Sequence, residues 1–327
     1  MEERLKMDKS LVTIGLTCFN AEDTINRAIR SALSQDWTNI EVIIVDDFSF
    51  DDSVLAVEQA IAGNPLARLV RHSQNKGPAA ARNTLLQEAR GEFVAFFDDD
   101  DESLPGRITG QVNILLDYEG QSGATLVACY AEGVRHYPNG YVMELPAIGS
   151  CGGRVPNGPG LADYLLFYRK RPDWFYGSGV PTCALLARVS TFCAVGGFDE
   201  ELRRVEDVDF SIRLALSGGH FVGTSESLFV QYDTDAVDKS PEKNLEAEQR
   251  LVEKNKDYLR SINRYYYALH WPLLRYRHFK HQYWHFTIEL LGLLLRYPLA
   301  VTKHLWATGP QRLLHERKMA QSKSEII

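Results

Sequence analysis

A doubly wound α/β fold with a helical extension behind it is what this sequence predicts, and three observations carry the prediction. Strand-like and helix-like segments alternate from residue 11 to residue 101, the pattern of a sheet covered by helices on both faces. The strand-like runs are almost wholly apolar, as in strands buried on both sides. Three of them end in polar or acidic clusters, at 17–20, 46–47 and 98–101.

Residues 11–17, Leu-Val-Thr-Ile-Gly-Leu-Thr, read as a strand, and the helical spacing of Ile25, Ala28, Ile29, Ala32 and Leu33 places a helix after it. Residues 40–45 form a second strand that stops at Asp46 and Asp47, and 54–62 a second helix. The third strand is expected over 67–71, the third helix over 78–89 and the fourth strand over 92–97, running into Asp98, Asp99, Asp100 and Asp101. Glycine and proline thicken between 137 and 181, which predicts a long irregular connection. Order returns with a strand over 182–188, helices over 189–194 and 207–216, and two strands near 220–222 and 228–232. Residues 242–264 have the character of one charged, exposed helix. The expected division is a disordered start over 1–10, a globular domain over 11–240 and a basic, aromatic helical tail over 241–327.

With 327 residues, 45% of them hydrophobic and 24% charged, the chain is long enough for one large core and an appendage. Its five cysteines form no C-x-x-C pair, which argues against a disulfide framework and a zinc ribbon. The first residues lack the apolar stretch of an export signal, so a cytoplasmic protein is expected. The net charge of −7 hides an asymmetry: residues 262–327 hold ten Lys/Arg against three Asp/Glu, leaving the first 261 residues at −14. An acidic body argues against nucleic acid as a partner. A basic, aromatic tail fits an anionic membrane surface, at the inner face of the cell membrane. Arg275, Arg277, Lys280, Arg296 and Lys303 interrupt its apolar residues, as in a helix lying in the interface. A helical pair packed on the body or on a second subunit is the alternative.

In open α/β sheets ligands sit beyond the carboxyl ends of the strands, where the acidic clusters fall. Asp51 and Asp52, ahead of Ser53, are expected only to cap a helix. Four consecutive aspartates after Phe96 and Phe97 repel one another unless a cation relieves them, and aspartate oxygens suit Mg2+ or Mn2+. Such an ion commonly completes its shell with phosphate, yet neither G-x-x-x-x-G-K-[ST] nor G-x-G-x-x-G is present. A nucleotide diphosphate would then be held through the metal.

A set of short motifs in fixed order carries more. Thr17-Cys18-Phe19-Asn20-Ala21-Glu22 is followed by 31–35, by Val45-Asp46-Asp47-Phe48-Ser49, by 75–83 (Asn-Lys-Gly-Pro-Ala-Ala-Ala-Arg-Asn) and by 91–101. Gly196-Gly197-Phe198-Asp199-Glu200 and Glu206-Asp207-Val208-Asp209-Phe210 complete it. Over residues 11–217 this sequence resembles the family 2 glycosyltransferases; the tail does not. The resemblance implies a GT-A fold, a Rossmann-like mixed sheet flanked by helices, and an inverting hexosyl- or N-acetylhexosaminyltransferase that uses a nucleotide-sugar. It implies that Thr17, Phe19 and Asp47 hold the base, with Asp46 supporting the turn and Asn20 and Glu22 beside them. Lys76 and Arg82, at the start of the third helix, fall where a diphosphate is favoured.

The family's D-x-D pattern maps onto Asp98, Asp99 and Asp100, with Asp101 as an extra acid. Asp98 and Asp99 are expected on the nucleotide-sugar, and Asp100 and then Asp101 on the metal. The family's general base maps onto Asp207, with Glu206 and Trp174 on the acceptor side. Where many relatives carry an Arg/His motif after the last strand, this chain has Gln231-Tyr232-Asp233. The expected partners are a nucleotide-sugar, a UDP-sugar in the first instance, and a glycan or lipid-linked acceptor. A non-catalytic nucleotide-sugar or glycan-binding module is the competing class, disfavoured by the intact Asp207.

Overall fold

The computed structural model describes residues 10–233 and 240–321, with backbone alone for 310–321. The expected disordered start, apart from Ser10, and the expected domain boundary at 240 therefore fall outside or at the rim of the described residues. The described residues form two compact units. The first runs to His136 and adds Val142–Leu161 and the chain from Arg171 to residue 233; the second holds Tyr137–Tyr141, Ala162–Lys170 and the chain from residue 240 onward.

The first unit is built on β1 (Val12–Cys18), β2 (Ile40–Asp46), β3 (Ala67–Arg71), β4 (Phe93–Asp98), β5 (Glu102–Ser103), β6 (Val127–His136), β7 (Val142–Leu145), β8 (Leu185–Arg188) and β9 (His220–Tyr232). They make one nine-stranded sheet in the order β3-β2-β1-β4-β8-β6-β9-β5, with β7 beside β6. β1 to β4 pair in parallel, β8 runs antiparallel between β4 and β6, and β9 returns parallel to β6. The sheet is thus mixed: its first half is wound like a dinucleotide fold and its second half is not.

Helices α1 (Ile25–Leu33), α2 (Ser53–Ile61), α3 (Pro78–Glu88), α4 (Arg107–Ser122), α5 (Gly158–Phe167), α6 (Val189–Ala194) and α7 (Glu206–Leu216) join the strands. α1 turns Ile25, Ala28, Ile29 and Ala32 into the core, where they meet Val12, Ile14, Leu16 and the buried side of β2. α3 lies so close to β1 that a Cβ on Gly15 would stand 2.0 Å from Leu85 Cδ1. That approach explains why a glycine interrupts an otherwise apolar strand.

The connection over 137–181 is more ordered than its composition predicts, since β7 and α5 interrupt it. The two strands expected over 220–232 are one. Thr224 is buried and donates to the Glu226 carbonyl, while residues 225–227 are exposed, so a polar run sits inside the strand where its register with β6 shifts.

The second unit contains α8 (Pro241–Lys254), α9 (Lys256–Ser261), α10 (Tyr265–Phe279), α11 (Tyr283–Arg296) and α12 (Pro298–Gln321). The single helix expected over 242–264 breaks at Asn255, whose side chain donates back to the Leu251 carbonyl. Among the described residues no helix is long and apolar enough to cross a membrane.

Candidate active site

The strand register assembles the carboxyl edge. Thr17 stands opposite Asp98 on one side and Val45 on the other, and Cys18 stands opposite Asp46. Three loops leave from these positions, and side chains lash them together. Asn20 takes a positive φ of 52°, accepts from Phe50 N and donates its own amide to Ser49 Oγ. Glu22 accepts from Asp52 N, while Glu22 N donates to Asp51. Asp51, rather than the N-cap residue Asp52, accepts from Ser53 N, which corrects the expectation that both cap the helix. Asp46 accepts from Ser49 N.

Asp47 is buried and already occupied. Its Oδ1 takes His72 Nδ1 at 2.7 Å and Lys76 N at 2.9 Å, and its Oδ2 takes Gly77 N at 2.7 Å. Gly77 reaches this geometry at φ 93°, a conformation open to glycine, directly before the proline that starts α3. A carboxylate has about four acceptor sites, so one on Oδ2 remains. Lys76 itself is exposed. The surface beside these loops is aromatic: Phe19 is 44% exposed and meets Phe50 edge-on at 6.0 Å. Phe48, within the motif of Asp46 and Asp47, and Phe50, just beyond it, are exposed as well.

A two-residue turn at 99–100 follows β4 and brings Asp98 and Asp101 to the same side. Their carboxylate oxygens and Cys183 Sγ lie within 4.8 Å of one another. Asp99 leaves in another direction and accepts from Phe19 N at 3.1 Å. Asp100, expected as the first metal ligand, is not in that cluster; its carbonyl accepts from Arg27, whose guanidinium lies 4.0 Å from the Tyr232 ring. Burial lifts Asp99 and Asp101 to about 8 and Asp98 to about 6, with the neighbouring aspartates adding to the rise and Arg82 opposing it at Asp98. Burial likewise holds the Cys183 thiol well above its usual value. Two crowded carboxylates and a thiol are a donor set that a divalent cation fits: oxygen for Mg2+ or Mn2+, with sulfur favouring the softer ions.

Gln231, which departs from the family's motif, and two arginines that no motif marks, Arg135 and Arg107, hold this cluster. Gln231 Nε2 donates to Asp101 Oδ2 at 3.1 Å and to Cys183 Sγ at 3.3 Å, and its Oε1 accepts from Arg135. β5 pairs with β9 through Glu102 and Val230, which puts Gln231 at that height. Where many relatives carry a basic motif, this chain's glutamine stands with an arginine behind it. Arg107 is fully buried and donates to the carbonyls of Phe96 and Cys183 and to Ser103 Oγ. Burial lowers it to about 10, against the pull of Asp101 and Asp98. Nothing in its local sequence separates it from any helical arginine.

The far side of the site is the start of α7. Val205 precedes it at φ 58° and ψ 18°, a left-handed conformation that costs a β-branched residue roughly 1–2 kcal/mol and here aims two acids from one turn. Glu206 is buried and takes an ion pair from Arg82 Nη1. Asp207 Oδ1 accepts from Val208 N at 2.7 Å. Burial, and then Glu206 beside it, lift Asp207 to about 6, while Arg82 pulls the other way. Arg82 also feels Asp98, and these carboxylates keep it fully charged although burial opposes them. One guanidinium thus stands among Asp98, Glu206 and Asp207. Trp174, expected on the acceptor side, is instead packed: it is 9% exposed, with Arg171 at 4.6 Å over its ring and Gly160 against its edge. Its ring is spent on closing the loop that the glycines open.

The chain is similar to known proteins in sequence and in fold. The model of glycosyl transferase family 2 matches residues 13–172. A UDP-Glc:alpha-D-GlcNAc-diphosphoundecaprenol beta-1,3-glucosyltransferase of Escherichia coli, WfaP, is 36% identical over 105 residues, 32% of this chain and 41% of that protein. The chain matches less than half the length of each of the first four curated relatives. S. aureus TarS, solved with UDP-GlcNAc, superposes with a TM-score of 0.57 at 18% identity over 82% of this chain and 73% of its own. The mannosyltransferase PcManGT of Pyrobaculum calidifontis, solved with GDP-Man and Mn2+, does so with 0.53 at 18% over 96% and 84%. The motif order, the mixed sheet with its C-terminal helices and the match over residues 13–172 identify that part of the chain as a glycosyl transferase family 2 domain, with the GT-A fold.

Proposed function

We propose that the chain is an inverting glycosyltransferase of cell-surface polysaccharide synthesis. It moves a sugar from a nucleotide-diphospho-sugar, a UDP-sugar in the first instance, to a hydroxyl of a glycan or lipid-linked saccharide. The observation that carries the reading is Asp207: a carboxylate raised to about 6, linked through Arg82 to the Asp98 end of the acidic cluster. A base of that strength is ionised at neutral pH and still able to take a proton.

Thr17, Phe19 and the remaining acceptor site of Asp47 flank the nucleotide base, with Asn20, Glu22 and Asp46 keeping those loops in place. Arg82, and the exposed Lys76, offer positive charge to the diphosphate at the start of α3. Asp98, Asp101 and Cys183 would hold the divalent cation. When bound, the cation neutralises charge on the departing nucleoside diphosphate. The acceptor hydroxyl attacks the anomeric carbon from the side opposite the diphosphate as Asp207 takes its proton. The new oxygen–carbon bond forms as the bond to the phosphate oxygen breaks, so an α-linked donor yields a β-linked product. Glu206, tied to Arg82, orients the turn rather than the acceptor. The division at about residue 240 into a catalytic domain and a tail belongs to the same proposal.

The reading is tested by presenting UDP-, GDP- and dTDP-sugars with and without Mn2+ and following nucleoside diphosphate release. The expected result is turnover of one donor class, lost in Asp207→Asn while calorimetry still shows donor binding. Undiminished turnover in Asp207→Asn would overturn it.

A further inference from the structure

Between Lys280 and Gly309 the chain carries three Lys/Arg and three histidines but a single acid, Glu289. Glu289 is buried and its carboxylate is taken by His270 and by Arg277 at 2.6 Å. The exposed surface of this segment therefore presents cations and no carboxylate.

α11 turns Glu289 and Leu293 inward. Its opposite face holds Trp284, Ile288, Leu291 and Leu295, spaced i, i+4, i+7 and i+11, which is one stripe along a helix. Trp284 is 75% and Leu295 85% exposed. α12 repeats the arrangement, with Val301 and His304 buried and Leu299 and Trp306 exposed. Arg296 and Lys303 stand exposed along the same stretch. An unbroken apolar stripe of this length is uncommon on a monomer left bare.

We propose that this face docks in the interfacial layer of a bilayer that bears anionic headgroups. Two exposed tryptophans suit the headgroup level, the aliphatic residues between them suit the acyl boundary, and Arg296 and Lys303 meet the lipid phosphates. A second copy fits less well. A two-fold contact lays the patch on itself, which sets Arg296 and Lys303 against their counterparts with no acid to pair them. The purpose of the docking rests on the reading of a lipid-linked acceptor; its geometry does not, and no sugar is needed to measure it.

The full chain is sedimented with vesicles of phosphatidylcholine alone and of phosphatidylcholine mixed with phosphatidylglycerol. Binding is expected to the anionic vesicles, to weaken with salt, and to fall roughly tenfold or more in Leu295→Glu and in Trp306→Glu. Both substitutions fall on exposed positions, and circular dichroism checks that the helices persist. Donor hydrolysis is expected to be unchanged in both, so failed docking and failed transfer are separate results. The proposal is overturned if anionic vesicles are not bound, or if both variants bind like the parent. It is equally overturned if centrifugation shows a dimer that the same substitutions dissolve, since the face then covers a second copy.

Discussion

Arg82 and Glu206 lie 124 positions apart in the chain and meet as a buried ion pair that joins the start of α3 to the start of α7. The pair brings the loop after the third strand to the acids of α7, and places a positive charge within reach of both Asp98 and Asp207.

Removing one partner leaves a buried charge unmatched. Arg82→Met or Glu206→Gln is expected to cost about 3–5 kcal/mol in urea unfolding, and the double substitution Arg82→Met/Glu206→Leu distinctly less than the sum. Additive costs would mean that the two side chains act independently.

Asp207 sets the acid limb of the rate. Its carboxylate works deprotonated, so kcat/KM is expected to fall as the pH drops through about 6 and to level off above it. Arg82 pulls this value down, so Arg82→Met should shift the limb upward. Asp207→Asn should lower kcat by about 10²–10⁴.

Asp99 and Asp101 take up protons on folding, because their native values of about 8 lie above those of an unfolded aspartate near 3.8. The native state binds more protons between those limits, so their contribution to stability is full below the lower one and is lost as the pH rises towards 8. Without metal, the melting temperature should therefore be higher at pH 5 than this cluster permits at pH 8. Added Mn2+ competes with those protons, so its stabilising effect should be larger at pH 8. An equal metal effect at the two pH values would count against ligation by Asp101.

Cys183 provides a spectroscopic handle on the same cluster. Co2+ bound at Asp98, Asp101 and Cys183 should show a thiolate-to-metal charge-transfer band in the near ultraviolet, absent in Cys183→Ser. A band that survives the substitution would place the ion elsewhere.

Much of this is legible in the sequence. Parallel strands buried on both faces must be apolar throughout, so β1, β2 and β4 announce themselves and their ends mark the site. Thr17, Asp46 and Asp98 fall on that edge as expected. Trp174 did not follow its expectation, because an aromatic in a loop has the same sequence appearance whether it faces a ligand or, as here, an arginine and a glycine. Asp47 shows the same limit from the other side: its position was legible, but not that His72 and two backbone amides already claim it.

The sequence by itself determined the strand ends, the aspartates they carry and the acid pair of α7, because each is written in a local period or a contiguous motif. Only the tertiary structure decided which acids share a cluster. The turn at 99–100 pairs Asp98 with Asp101 and sends Asp99 to Phe19, and β9 delivers Gln231, with Arg135 behind it, to Asp101 and Cys183. Arg107 joins them from the start of the next helix and Cys183 from a distant stretch of chain, for a reason no local pattern records: a buried charge takes the partners that packing brings within reach, however far apart they stand in sequence.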